Sequence, residues 1–167
     1  LSQFSGNNTH EADDQAFIDS VSDLCLDVHS MTPPHTFPVR VYYEDTDFSG
    51  VVYHASYLRF MERGRTEMLR SHGIDQGAVL AGDTQERFGF AVRAMNIDFR
   101  KPARMDDLLT IETDVMEIGG ASMELAQRVK RGEELLIAAQ VRIACVVDGK
   151  PCRIPAQIRA TLGGAKG

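Results

Sequence analysis

The chain has 167 residues, 43% of them hydrophobic, and a formal net charge of -6 at pH 7. That length suits one domain with an ordinary core, and the acidic balance excludes nucleic acid as the main partner, because neutralising phosphates needs a basic face. The three cysteines (Cys25, Cys145 and Cys152) are odd in number and form no C-x-x-C pair, which argues against a disulfide framework and for a reducing compartment. The five histidines show no metal-ligand spacing. No apolar run approaches the roughly 18 residues a membrane helix needs, and the N-terminal stretch is acidic where a signal peptide carries positive charge. Cytoplasmic residence without an integral membrane segment is expected.

Residues 1–36 read as an acidic extension, with a polar tip, a short helix carrying Phe17, Val21, Leu24 and Val28 on one stripe, and a Thr-Pro-Pro-His break. The domain proper is expected over 37–162, with 163–167 as a flexible tail. FPVRVYYE alternates apolar and polar residues and predicts a strand from Phe37 to about Glu44. EDTDFSG has the chemistry of a turn. YLRFMERGRTEMLRSHG predicts a helix whose inner face carries Tyr57, Leu58, Met61, Gly64, Met68 and Leu69, with Gly73 closing it. Gly64 costs this helix about 1 kcal/mol relative to Ala, so another backbone is expected to approach there. Four strand-like stretches follow, separated by KPARMD, Gly119-Gly120, Gly132-Glu133 and Asp148-Gly149. The tail IPAQIRATL suits either a short helix or an edge strand. One strand, one long helix and a meander of strands imply an α+β domain rather than a parallel, nucleotide-binding sheet.

The chemistry concentrates in residues 45–62. Asp45, Asp47, Ser49 and Gly50 mimic the start of a calcium loop, but Ser56 stands where a bidentate Glu is required. Asp45 is read as a turn-closing acceptor. Asp47 is followed at once by Val51, Val52 and Tyr53; an apolar wall there would raise its pKa and suit a general base or nucleophile, although a capping role also fits. His54 stands near the helix start, as a cap, a packed side chain or a backbone donor backed by the macrodipole. Glu62 lies about two turns on, on roughly the side of the helix entrance, and pairs on the plain reading with Arg59, Arg65 or another chain. Arg100, Lys101 and Arg104 form one basic cluster and Arg128, Lys130 and Arg131 another, each able to hold phosphates or simply to face solvent.

The string YEDTDFSGVVYHASYLRFMERGRTEMLR, together with FAVRAMNIDFRKPARMDDLLTIET, resembles the hotdog-fold acyl-CoA thioesterases of the 4-hydroxybenzoyl-CoA thioesterase superfamily, and most of all the bacterial branch associated with the Tol-Pal envelope system. The resemblance spans about residues 36–160. It implies a curved antiparallel sheet of about five strands around one long central helix, and protomers paired edge to edge as a dimer or homotetramer with sites at the interface. The substrate is then an acyl-CoA, or a thioester on an acyl carrier protein, with no metal or cofactor. By position in the motif, Asp47 matches the catalytic aspartate and His54 stands where a backbone N–H polarises the thioester carbonyl; Glu62 is the alternative catalytic residue. Gly50 and Tyr53 are expected to contact substrate, and Arg100 and Lys101 the CoA phosphates. Hydratases of this fold pair an Asp with a His at a shorter spacing after an Asn-Pro dipeptide that is missing here. A non-catalytic acyl-carrier or envelope-complex binding protein is the other alternative.

Overall fold

A computed structural model describes residues 33–77 and 88–163. The acidic extension lies almost wholly outside the described residues, as do residues 164–167 of the tail. Strand β1 runs His35–Arg40, and a 3-10 turn at Tyr43–Asp45 precedes helix α1, His54–Ser71. Strands β2 (Gly89–Phe99), β3 (Leu108–Ile118), β4 (Ser122–Arg131), β5 (Glu134–Val147) and β6 (Lys150–Pro151) follow, and helix α2, Ala156–Gly163, closes the chain. The sheet is antiparallel in the order β1-β3-β4-β5-β2, with β6 beside β5. Its sixth member is only the two-residue β6, so the expectation of about five strands holds for the body of the sheet.

The strands do not form the simple meander expected from their order. Among the long strands only β3, β4 and β5 are neighbours both in sequence and in space; β2 occupies the far edge, and residues 100–107 carry the chain back to β3 beside β1. That return is stitched along the strand ends. The amides of Arg100 and Lys101 donate to the Leu136 carbonyl at 2.9 and 3.1 Å, and Val41 N–H donates to Asp107 O at 3.0 Å. Arg131 pairs with Asp107 and Glu134, and Lys101 with Glu134.

Helix α1 starts three residues before the predicted stretch, because His54, Ala55 and Ser56 carry no apolar period for a sequence reading to detect. Its buried stripe is Tyr57, Phe60, Met61, Gly64, Arg65, Met68 and Leu69, spaced by three and four as a core-facing helix requires. Leu58, expected inside, is 38% exposed, since it lies about 100° around the helix from Tyr57. The end is a Schellman arrangement, with Ile74 N–H on Leu69 O at 3.0 Å and Gly73 N–H on Arg70 O at 2.9 Å.

Gly64 does receive a close neighbour, but a side chain and not a backbone. A Cβ added there would meet Ile111 Cγ2 at 2.7 Å and Ile111 Cβ at 3.3 Å. The bare position lets α1 settle on β3. Gly64→Ala gains about 1 kcal/mol of helix propensity yet incurs overpacking of about 1–3 kcal/mol, so a net loss of about 1 kcal/mol is expected. In an Ile111→Ala background the loss should shrink or reverse. Denaturant midpoints of the four proteins check this, and an equal loss in both backgrounds would refute the contact's role.

Beneath the helix sits a polar group no periodicity predicts. Gln127, wholly buried, accepts from Arg65 Nη1 at 2.8 Å and donates through Nε2 to Met61 O at 3.0 Å and Thr113 Oγ1 at 2.9 Å. Each of these buried groups thereby finds a partner. Desolvation lowers the Arg65 pKa, partly offset by the charge of Glu62.

Candidate active site

Residues 46–52 form a small hairpin. Thr46 bridges Val52, Asp47 N–H donates to Val51 O at 3.0 Å, and Gly50 N–H donates to Asp47 O at 3.0 Å. Gly50 has φ +76°, the left-handed position that a three-residue hairpin loop needs and glycine supplies without strain. Val51 also bridges Arg104, so the hairpin is fastened to the 100–107 return.

The two aspartates have different surroundings. Asp45 is buried; its carboxylate accepts from Tyr42 N–H at 2.9 Å, and Arg59 lies 3.5 Å away. Its carbonyl accepts from Ser56 Oγ at 3.0 Å and from Tyr53 N–H at 2.9 Å. It shapes the entry to α1, as expected. Asp47 is exposed, and its carboxylate is held by the hydroxyl and amide of Ser49. Those hydrogen bonds, with smaller help from the Val51 backbone and the charge of His54, hold its pKa below the usual carboxylate range. The expectation that Val51, Val52 and Tyr53 wall it in and raise the pKa is therefore overturned. Val52 turns into the core and Tyr53 faces outward, so neither covers the carboxylate. Ser49 belongs to the turn that EDTDFSG predicts, and the structure adds its hold on the Asp47 carboxylate.

Helix α1 opens at His54 with Tyr53 as N-cap and without a side-chain cap. The first turn thus carries the positive end of an 18-residue helix without an N-cap side-chain hydrogen bond, and of its amides Ser56 N–H donates to Tyr53 O at 2.8 Å. The rings of Tyr53 and His54 lie 4.3 Å apart. Next to this end is a cavity of about 310 Å³ lined by Val52, His54, Tyr57, Phe99, Arg100, Lys101 and Pro102. Tyr57 Oη accepts from Ala103 N–H at 2.7 Å, which fixes the loop against the helix. Burial pushes the phenol's pKa up, so it stays protonated.

Of the predicted residues, the structure brings His54, Arg100 and Lys101 to one cavity; Asp47 and Gly50 sit on the hairpin that leads into α1 and Tyr53 at its N-cap, and none of these three lines the cavity. Arg100 is paired with Asp98 at 2.7 Å and Lys101 with Glu134 at 2.8 Å, so each would exchange a carboxylate to take a phosphate. Glu62 is exposed on the helix flank, accepts from Thr66 Oγ1 at 2.8 Å and does not line the cavity. Of its two expected partners in this chain, Arg59 goes to Asp45 instead, and Arg65 acts on it only through charge. The second basic cluster is absorbed by its own sheet. Arg128 pairs with Glu112 and Asp114, Lys130 with Glu112, and Arg131 with Asp107 and Glu134.

An antiparallel sheet packed on one long helix, with a cavity at the start of that helix, defines a hotdog domain. The chain belongs to the thioesterase superfamily, whose family model matches residues 49–138. It is 47% identical over 127 residues to the acyl-CoA thioester hydrolase YbgC of Escherichia coli O6:H1, covering 74% of this chain and 92% of that protein. It is 46% identical over 129 residues to the acyl-CoA thioesterase YbgC of Haemophilus influenzae, covering 76% and 93%. The crystal structure of a probable thioesterase from Bartonella henselae superposes with a TM-score of 0.70 at 47% identity, over 73% of this chain and 99% of that one. Among the described residues, no helix is long and apolar enough to cross a membrane.

Proposed function

We propose that this protein hydrolyses acyl-CoA thioesters to the free acid and CoA, with Asp47 as the reacting carboxylate and the start of α1 as the oxyanion donor. The observation that carries this reading is the position of Asp47, held below the usual carboxylate range and in electrostatic reach of His54, on the hairpin that leads into α1, whose first residue lines the cavity. The thioester carbonyl points at the first-turn amides. Asp47 draws a proton from water as it attacks the carbonyl carbon, or attacks that carbon itself to give an anhydride that water opens. The C–S bond breaks, and the thiolate leaves and takes up a proton. The amides stabilise the oxyanion, a contribution worth about 10²–10³ in rate for a single donor.

Tyr53 and Gly50 border the acyl path, and Arg100 and Lys101 meet the CoA phosphates. A second copy completes the site by pairing along β2. The outer edge of this 11-residue strand carries exposed Ala91, Val92, Arg93 and Ala94, and a strand edge of that length seeks a partner. Further pairing of such dimers would make a tetramer. The resemblance of the residue 41–70 motif to the Tol-Pal-associated branch carries the rest of this proposal: cytoplasmic residence, work alongside the Tol-Pal envelope system, and an acyl carrier protein as a second thioester donor. Thiol release from a panel of acyl-CoAs and acyl carrier protein thioesters tests the activity. Binding without release would assign the protein to a carrier role instead.

The state of Asp47 gives a pH test. Ionised Asp47 is the active form, so activity falls as pH drops through its pKa. Ser49→Ala removes the hydroxyl, the largest cause of the depressed pKa. The acid limb of kcat/KM is expected to move to higher pH, with the neutral plateau little changed. An unmoved limb would separate Asp47 from the rate-controlling ionisation.

A further inference from the structure

Outside the cavity, two nucleophilic side chains face each other with no part in hydrolysis. Cys145 near the end of β5 and Cys152 just after β6 are brought together by a tight turn at Asp148-Gly149, where both residues have positive φ. The register Val146↔Pro151 and Val147↔Lys150 sets the two cysteines opposite each other. Cys152 N–H donates to Cys145 O at 2.9 Å, and the sulfur atoms lie 3.1 Å apart. Cys145 is buried in the core and Cys152 only partly so. Burial and the hydrogen bond to Cys152 push the Cys145 thiol up to about 12, and the lesser burial of Cys152 makes it the more accessible sulfur.

We propose that Cys145 and Cys152 are a modification site, a dithiol that a small peroxide closes to an intrachain disulfide, fastening the β6 segment and helix α2 to β5. The Cys152 thiolate attacks one peroxide oxygen, giving a sulfenic acid and, after protonation, one water. The Cys145 sulfur then attacks the Cys152 sulfur, and the hydroxyl leaves with the Cys145 proton as a second water. The two thiols are oxidised, the peroxide is reduced, and the sulfurs contract from 3.1 Å to a bond of about 2.05 Å. The fastening matters because the chain after Cys152 seats α2. Ile154 N–H donates to Gly120 O at 2.9 Å, and Ile154, Ile158 and Leu162 are buried.

The test uses the full chain with Cys25→Ser, so that only the two thiols count. Hydrogen peroxide should remove both thiols from titration under denaturing conditions, lower the intact mass by about 2 Da and leave chains unlinked, all reversed by dithiothreitol. The oxidised protein should melt a few degrees higher than the reduced one. Cys145→Ser should leave a sulfenic acid on Cys152 that dimedone traps. Should that buried change prevent folding, Cys152→Ser, at the partly exposed position, should form no disulfide and keep its Cys145 thiol. Two titratable thiols after treatment, a gain of about 32 Da at Cys152 without a disulfide, linked chains, or an unmoved melting point would each overturn the proposal.

Discussion

Replacing Asp47 with Asn is expected to lower kcat for an acyl-CoA by about 10²-fold or more, the range a positioned acid or base supplies. The substitution keeps the shape of the side chain. Its amide oxygen can still accept from Ser49, so the hairpin of residues 46–52 should persist and thermal stability should stay near wild type. Lost is the negative charge that takes a proton from water or attacks the carbonyl. Because the oxyanion donors are backbone amides of α1, they survive the change, and residual activity above the uncatalysed rate should remain. KM should move little, since the carboxylate meets the substrate only at the reacting carbon. Glu62→Gln is the control from the same region; it sits on the exposed helix flank and accepts from Thr66, so turnover should fall less than about threefold. Near-normal turnover of a folded Asp47→Asn, with a large loss in Glu62→Gln, would transfer the catalytic role to the helix carboxylate.

The second large effect concerns the edge of the sheet. Val92→Glu combined with Ala94→Glu puts carboxylates on two exposed positions of β2, flanking the bulge at Arg93. In a two-fold pairing each strand meets its own copy, so the added charges face one another. The expected result is a halved mass in light scattering and at least a tenfold loss of kcat/KM, with a far-UV spectrum like that of the wild type. The loss follows from the exposure of Asp47. Among the described residues nothing buries it, Phe48 at the hairpin tip is fully exposed, and Tyr53 and Phe99 are about half exposed. A partner would exclude water from the carboxylate and bury those rings. Full activity in a demonstrably monomeric variant would defeat this account of the site.

The parts of this molecule legible in its sequence are those governed by period. The strand-like stretches RFGFAVRAMNIDFR and LLIAAQVRIACVVD, set off by turn signals, predict β2 and β5 to within two residues. The turn chemistry of Asp148-Gly149 was equally plain. Three features were not legible, each for a different physical reason. The placement of β2 at the far edge depends on where the 100–107 return crosses, which local pattern does not encode. Arg65 and Gln127 are polar residues inside, and a reading that sends polar residues outward misplaces both. The exposure of Asp47 reversed an inference from neighbours in sequence, since Val52 and Tyr53 point away from it. For the candidate site, the motif covers the hairpin and the helix start, while the cavity wall of Tyr57, Phe99 and Pro102 emerges only from the fold.

The Gln127 arrangement carries a consequence for how the site stays aimed. Apolar stripes tolerate small slips, because one methyl group packs nearly as well as the next. A carboxamide that must satisfy a helix carbonyl, a threonine hydroxyl and a guanidinium at once does not, since a shift of one residue would strand several buried polar groups. Gln127 thus acts as an indexing pin, fixing α1 in rotation and along its axis against β3 and β4. The pointing accuracy of the helix tip at His54 is therefore set about two turns away, in a part of the core that never meets the substrate.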